Sequence, residues 1–517
     1  ARLMEEGFLR EVQGGLEFRN ELIRAQAYYA IPTSGREHLH RAAGEALSSI
    51  PDSGARAGLE IAWHFIRGRA VEKSVEYALS GAERCLERGA PHEAERVLRA
   101  IQAKDAPLAL NHLMLLSQAL LDQSKAEEAT PLLEALRHAV DVGADNRARI
   151  AAMRASAEFM LARETGIKHS AAAEEAMEAA KDVGNPVLVA KALSVLSRTH
   201  GETGNQRGLE KVRTTIMAML SHPEYKSLPM IHYTAAYCEY TNGSVLQAAS
   251  HIRNALKLVG TTDRPTETIP LLNGLGVSLH FAGQCADAQQ AFEGALALAR
   301  RIGDDSWACT VSMNISGLLV NTGNLDAAIA YGTAAVELSK RVLRQPRSIM
   351  AYTNLTNAYL LSNQPERALA CLDQAERLSS CGSNWEPRIL FYGEKAIAQI
   401  ALGEVSQALV TIGTLEEVVG EGYPGQYWGS FEKLRAFRVR YSTGPEQALG
   451  IATAARTRFR DRNLFHYVTV NSAVAWLERE VSGRMTGETI EGIRLLDKHG
   501  FVGLKAFLTM GGFLQRD

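Results

Sequence analysis

The sequence predicts an all-α protein, a superhelical array of helical hairpins. Three observations predict it: an internal repeat of 40 residues, apolar positions at helical spacing, and small residues at fixed offsets from recurring Gly turns. At intervals of 40, Gly243, Gly283, Gly323, Asn363 and Gly403 share one phase, and the next step lands on Thr443 beside Gly444. Five residues later stand Ala248, Ala288, Ala328, Ala368, Ala408 and Ala448. Nine residues after the turn come Ile252, Phe292, Gly332, Leu372, Ile412 and Ala452, and twelve after it Ala255, Ala295, Ala335, Ala375, Leu415 and Ala455. Gly and Asn tolerate the left-handed backbone that ends a helix. The small Ala lets the second helix approach the first, and the two later positions keep that face apolar. Packing is the expected role of every one of them.

In chain order, residues 7–12 and 16–18 around Gly14-Gly15 read as a small β-hairpin. Asn20 caps a helix over 21–29, Pro32 ends it, and a second helix over 36–47 carries Leu39, Ala43 and Leu47 on one face. A hairpin with one helix cannot bury a core. With Ala1 in place of an initiator Met, this start is expected to be the tail of a domain in a longer chain. The array continues in weaker form at Gly89, Ala94 and Leu98, and again at Leu120, Ser124, Ala129, Leu133 and Leu136. Between Asp141 and Pro223 helical periodicity persists (Ala172, Ala176, Ala179, Ala180, then Leu188, Ala192, Leu196) while the phase slips. Residues 474–477 and 490–496 read as one more hairpin, a candidate cap. The expected division is a domain tail and junction over 1–50, divergent hairpins over 51–225, regular repeats over 226–460 and terminal hairpins over 461–517. That makes about nine to eleven hairpins.

The best unit reads Leu275-Gly276-Val277-Ser278-Leu279-His280-Phe281-Ala282-Gly283, then Ala288, Phe292 and Ala295. It resembles the tetratricopeptide repeat, and Tyr352, Leu355, Tyr359, Asn363, Ala368, Leu372 and Ala375 match a second time. Two departures stand out: Gly332 takes the place of a large apolar residue, with Tyr331 beside it, and the period is 40 rather than about 34.

A second resemblance covers roughly residues 3–98. Phe18-Arg19-Asn20-Glu21-Leu22-Ile23-Arg24 and Arg36-Glu37-His38-Leu39-His40-Arg41-Ala42-Ala43-Gly44-Glu45-Ala46-Leu47 resemble the junction of STAND-class bacterial signalling ATPases, including LuxR-type regulators like the maltose activator. Ala62-Trp63-His64-Phe65 and Lys73-Ser74-Val75-Glu76-Tyr77-Ala78-Leu79-Ser80-Gly81-Ala82 are similar to the helices that follow there, and Asn20 replaces the usual His. The resemblance implies the tail of a winged-helix domain leading into a helical-repeat sensor, with a nucleotide-binding domain before residue 1. This chain has no phosphate-binding Gly-x-x-x-x-Gly-Lys-Ser/Thr loop and no legible DNA-binding domain after residue 480. Neither cofactor nor ATPase chemistry is therefore expected within it.

Composition narrows function further. Lys plus Arg is 56 against 58 Asp plus Glu, a balance that argues against nucleic acid as the main partner. No apolar run reaches membrane-spanning length and no signal peptide is legible, so a cytoplasmic protein is expected. Cys85, Cys238, Cys285, Cys309, Cys371 and Cys381 form no CxxC pair and read as buried small hydrophobes. His38 and His40 project roughly 200° apart on a helix and cannot grip one metal; His40 reads as packed or hydrogen-bonded. Glu127-Glu128, Glu174-Glu175 and Glu416-Glu417 read as solvated surface, and no HExxH or GxSxG motif is present. No catalytic or metal-binding residues are expected.

The candidate binding residues come from repeat phase. In tetratricopeptide arrays the first helix of each hairpin lines the concave groove. Asn314 and Asn354 stand nine residues before their turns, Asn357 one helical turn after Asn354, and Asn273 one position off in the preceding unit. Asn is a mediocre helix former, so its recurrence on one inner face needs a reason. Bidentate hydrogen bonding to an extended peptide is one; hydrogen bonding between repeats, or plain exposure, is the other. The basic partners of a carboxylate clamp are missing, because Met350 and Leu390 stand where Lys would help. Tyr352 and Tyr359 share a face that diverges from Asn354 and are expected to pack between helices. Two cationic stretches, 340–347 and Arg456-Thr457-Arg458-Phe459-Arg460-Asp461-Arg462, follow second helices, where cations complement the helix C-terminus. Arg456, Arg458, Arg460 and Arg462 are also a candidate patch for phosphate, nucleic acid or an acidic partner. The sequence thus points to a sensor or interaction region that binds a peptide, a protein or a small molecule. A passive scaffold is the main rival, nucleic-acid binding the second, and self-association through an edge of the array is compatible with either.

Overall fold

The computed structural model of the chain describes residues 2–501 except 13–14, 51–52, 102–105, 124, 140–141, 166–170, 203–204, 261–263, 343–344, 380–384 and 421–427. Apart from one β-hairpin the regular structure among these residues is helical. No helix among them is long and apolar enough to cross a membrane. The chain divides into two compact units, Ala1–Leu136 and Arg137–Asp517.

The first unit opens with α1 (Arg2–Glu5), β1 (Leu9–Val12) and β2 (Gly15–Phe18). The strands pair antiparallel with Leu9 opposite Phe18, and Arg10 opposite Glu17 in an ion pair of 2.9 Å. Asn20 caps α2 (Glu21–Ala30) by accepting the Leu22 amide at 2.8 Å, and none of its residues is buried. Then follow α3 (Thr33–Ser48), α4 (Ser53–Arg67), α5 (Val71–Glu87), α6 (Pro91–Arg99), α7 (Ala106–Asp122) and α8 (Ala126–Arg137). Gly89 ends α5 with φ of 76°, and Ala94, Leu98, Leu120, Ala129, Leu133 and Leu136 are buried; Ser124 lies outside the described residues. His40 accepts or donates to Tyr28 Oη at 2.8 Å and to His64 Nδ1 at 3.0 Å, the packed role expected of it.

The second unit runs through α9 (Ala144–Thr165), α10 (Ala171–Val183), α11 (Pro186–Glu202), α12 (Gln206–Met219), α13 (Pro223–Lys226), α14 (Pro229–Thr241) and α15 (Val245–Val259). It continues with α16 (Pro265–Phe281), α17 (Cys285–Ile302), α18 (Asp305–Thr322), α19 (Leu325–Val342), α20 (Gln345–Leu361) and α21 (Pro365–Ser379). It ends with α22 (Trp385–Ala401), α23 (Val405–Val419), α24 (Trp428–Ser442), α25 (Pro445–Phe459), α26 (Leu464–Ser482) and α27 (Gly487–Lys498). From α14 to α25 the helices pair as the repeat phase requires. Gly243, Gly283, Gly323, Asn363, Gly403 and Gly444 all have positive φ. The six alanines five residues on, Ala248 to Ala448, are fully buried at the hairpin crossing. The positions nine and twelve after each turn are buried as well.

Gly332 has a local reason. A Cβ there would lie 2.9 Å from Leu355 Cδ1 and 3.1 Å from Ser316 Oγ, so Leu355 fills the space that a large residue takes elsewhere. Tyr359 is buried in the same core and Tyr352 packs against it. Of the described cysteines Cys238, Cys309 and Cys371 are buried and Cys85 and Cys285 half-buried; Cys381 lies outside the described residues.

The last hairpin does more than cap. Helix α26 packs against α16, so the array turns back on itself. Phe281 meets Phe465 edge-on with ring centroids 4.8 Å apart, and His280, His466 and the fully buried Phe501 complete the cluster. Gly283 sits under this contact; a Cβ there would stand 2.5 Å from Leu464 Cδ2.

Two glycines inside helices predict opposite outcomes. At Gly276 a Cβ would meet the buried Phe292 ring at 2.6 Å, so Gly276→Ala is expected to cost about 1–3 kcal/mol. At Gly317 nothing lies within 4 Å of the added Cβ, so Gly317→Ala is expected to gain up to about 1 kcal/mol. Urea-unfolding midpoints of the two variants check both signs.

Candidate functional site: a cavity walled by the first helices

Equal repeat lengths carry equal phases to one side. In the second unit that side lines a half-open cavity of about 180 Å³. Its wall is written in steps of 40: Thr310, Met350, Leu390 and Ser430; Asn314, Asn354 and Glu394; Val277, Gly317, Asn357 and Ile397. These residues belong to α16, α18, α20, α22 and α24, the first helices of successive hairpins, and α26 adds Phe465 and Thr469. Phe281, Phe292, Met313 and Val320 add apolar surface to the lining.

Three of the four candidate asparagines line this cavity, and the fourth supports one of them. Asn314 Nδ2 donates to Asn273 Oδ1 at 2.8 Å, a bond between adjacent repeats. Asn354 Nδ2 donates to the Met313 carbonyl at 3.4 Å, also across repeats. The Asn357 amide donates to the Glu394 carboxylate. Asn357 Oδ1 and Glu394 Oε2 have no partner of their own although neither is open to bulk water. Met350 and Leu390 stand as apolar wall, without the cations of a carboxylate clamp.

Electrostatics concentrate at one end. Burial pushes the Glu394 carboxyl up to about 7, against the pull of the Asn357 hydrogen bond and the Lys433 charge. Burial pushes the Lys433 ammonium down to about 8, with Glu394 opposing. Across the cavity Asn321 Nδ2 donates to His280 Nε2 at 2.9 Å, and burial holds that imidazole neutral, near 4. Such a wall can hold an apolar body and hydrogen-bond a polar head. Among the described residues no group of three or more His, Cys, Asp or Glu is placed to hold a metal ion.

Sequence reading did not single out Glu394, Lys433, His280, Asn321 or the closing role of α26. For Glu394 the signal was present: 40 beyond Asn314 is Asn354, and 40 beyond that is Glu394. Lys433 stands ten before its turn, the offset of Asn273. His280 and α26 carry no such mark, because their roles arise from closure between distant hairpins.

The four arginines in the last turn of α25 and just beyond it do not form the cationic patch that their spacing suggested. Arg456 is 3% exposed. It donates to Asn471 Oδ1 at 3.0 Å and Thr489 Oγ1 at 2.8 Å, and pairs with Glu488 at 3.1 Å, which ties α25 to the last hairpin. Arg458 bonds Glu432 at 3.2 Å and stacks over Trp428, and Arg460 pairs with Glu488. Arg462 is exposed. Carboxylates already take up three of the four charges. In the other cationic stretch Lys340 pairs with Glu337 at 2.7 Å and Arg341 with Asp305 at 2.8 Å; residues 343–344 lie outside the described set.

Two outcomes follow. Arg456→Ala is expected to cost about 2–4 kcal/mol by stranding buried partners, and Arg462→Ala to stay within about 0.5 kcal/mol, both read from urea midpoints. Glu394 gives a pH test. Its folded pKa lies above the ordinary 4.5, so between 4.5 and about 7 the folded chain keeps a proton that the unfolded chain releases. Its contribution to stability therefore falls as pH rises through that window and levels off above it. Glu394→Gln lacks this loss. Its stability relative to the parent is expected to rise by up to about 3 kcal/mol across the window, measured as paired melting curves, in which the histidine contributions cancel.

No family model matches the chain, and no curated protein matches it in sequence. Solved structures similar in the run of their helices include a Rap protein complexed with Competence and Sporulation Factor, at 13% identity and TM-score 0.48, covering 75% of this chain and 99% of that one. Aspartyl phosphate phosphatase F from Bacillus subtilis is similar at 11% identity and TM-score 0.42, covering 77% and 96%. A STAND protein with a tetratricopeptide repeat sensor from Pyrococcus horikoshii is similar at 15% identity and TM-score 0.39, covering 72% and 57%. Each is a likeness in helical-repeat path and nothing further.

Proposed function

We propose that this chain is a recognition region of tetratricopeptide-like hairpins that binds a peptide, a protein segment or a small molecule in the cavity of the second unit. Asn354 and Asn357 would contact the ligand, and Asn273 would hold Asn314 in register beside them. The observation that carries this reading is the pair of buried acceptors in the cavity wall, Asn357 Oδ1 and Glu394 Oε2, that have no hydrogen-bond partner. An unmet buried polar atom costs about 1–3 kcal/mol, which a ligand's donor would recover. Gly317 supports it too: a helix-interior glycine is unfavourable, and here it leaves space open towards the cavity.

The resemblance over residues 3–98 supports a finer reading. The chain serves as the sensor of a STAND-type signalling protein, with residues 1–50 as the tail of a winged-helix domain and its junction. A ligand that binds one set of the hairpins more tightly shifts the array towards it, and the contact of α16 with α26 is the element such a shift would move. The junction over Phe18 to Leu47 would pass the change to a nucleotide switch elsewhere in the parent protein.

Native mass spectrometry of the purified chain tests the cavity. A bound adduct is expected in the parent chain and lost in Gly317→Met, whose side chain grows into the open space. Equal occupancy in both would count against this cavity. Limited proteolysis of the full-length parent tests coupling: ligand is expected to change protection of residues 1–50, and unchanged protection would remove the sensor reading.

A further inference from the structure

The first unit holds a cluster of titratable groups, far in sequence from the cavity, at the place where α2 meets α3. Helix α2 buries none of its residues, so polar and ring contacts do the work of holding it. Tyr28 Oη on α2 lies 2.8 Å from His40 Nε2 on α3, and His40 Nδ1 lies 3.0 Å from His64 Nδ1 on α4. Arg36, also on α3, stands over the Tyr28 and Tyr29 rings at 5.2 and 5.4 Å. Tyr28, His40 and His64 are all half-buried.

The nitrogen-to-nitrogen contact limits how many protons the pair can carry. Two Nδ1 atoms at hydrogen-bond distance share one N–H, so one ring donates and the other accepts. If His64 donates, His40 accepts at Nδ1 and its Nε2–H donates to Tyr28 Oη. If His40 donates from Nδ1, its neutral Nε2 accepts the Tyr28 O–H. One added proton is tolerated, because a charged His40 donates from both nitrogens, to Tyr28 Oη and to a neutral His64. A second is not, because both Nδ1 atoms would then carry hydrogens aimed at each other. The neighbouring charges oppose protonation too. Burial first, then His64 and Arg67 from α4 and Arg36 from its own helix, push the His40 imidazole below the ordinary 6.5. The carboxylates of α3 are engaged elsewhere, Glu37 with Arg69 and Glu45 with Lys73, and on α2 Glu21 pairs with Arg24.

We propose that Tyr28, His40 and His64 form a proton-sensitive latch that holds α2 against α3 near neutral pH and releases it in acid. With α2 undocked, each imidazole is free to take a proton; docked, the pair carries at most one between them. Docking therefore competes with proton uptake. It is fully favoured above about 6.5 and weakens as pH falls below that value, by about tenfold per pH unit for the one excluded proton. The Arg36 ring contacts do not titrate, and they set the hold that remains in acid. The latch rests on no feature of the cavity.

Hydrogen–deuterium exchange of the full chain, read by mass spectrometry on peptides from α2 and from α17 as reference, tests it at about pH 7.5 and about pH 5.5. Labelling times are scaled for the intrinsic pH dependence of exchange. Protection of α2 is expected to fall about tenfold more than that of α17 between the two conditions. Tyr28→Phe is expected to lose α2 protection already near neutral pH. His64→Gln, whose amide oxygen can accept from His40 in either condition, is expected to keep α2 protected and to remove most of the pH step. Circular dichroism of each variant separates a lost latch from a lost fold, and His40→Gln supplies the same comparison should His64→Gln not fold. Equal protection of α2 in both conditions in the parent chain would overturn the latch. So would a pH step left unchanged when either histidine is replaced, or a Tyr28→Phe chain as protected as the parent near neutral pH.

Discussion

The close approach of two helices at a buried alanine, five residues past a left-handed turn, is the constraint on which the second unit rests. It fixes where each hairpin crosses and therefore which face of each first helix points inward. Because the spacing from turn to turn is held at 40 residues, that face is the same face every time. One inserted residue within a first helix would rotate all that follows by about 100° and carry Asn354 or Glu394 out of the wall. Constant length is thus what turns a row of hairpins into a cavity with ordered columns of side chains.

Within that frame the wall is not optimised for stability. The core beneath it is dense: Phe292 leaves no room for a methyl at Gly276, and Leu355 none at Gly332. A few ångströms away the same helices keep a glycine beside empty space, a carboxyl held half-protonated near neutrality and an amide oxygen with no donor. Polar groups in such surroundings are where a protein departs from the rules that serve folding alone. The contrast between tight crossing and loose wall, on opposite sides of the same helices, is what singles out the cavity as the candidate site.

Much of this was legible in the sequence, and the limits have physical causes. Turn glycines, crossing alanines and the apolar positions after them follow from local backbone and packing rules, so phase alone located them. Asn314, Asn354 and Asn357 were found on the inner face by the same ruler, and the β-hairpin with its Asn20 cap by turn and capping chemistry. Glu394 lay on the Asn column and was passed over because its residue type differs, although the column is set by geometry and not by type. The arginines at the end of α25 were misleading for the opposite reason: their spacing is visible in sequence, but Glu432 and Glu488, which take up their charge, come from other helices. Asn321 on His280, and Phe465 on Phe281, depend on which hairpins meet in space, and no local pattern records that.

The meeting of α26 with α16 alters how the array behaves as an object. An open solenoid stores its stability in neighbour pairs, so its end repeat can fray without disturbing the middle. Here the end repeat leans on a helix some two hundred positions earlier: Cys285 Sγ donates to the His499 carbonyl at 3.4 Å across a sequence separation of 214. Fraying of the last hairpin therefore removes a wall from the cavity, and disorder at either side of the seam is felt at the other. The chain exchanges the independence of its repeats for a cooperative loop, closed by contacts between residues far apart in sequence, the kind that slow folding.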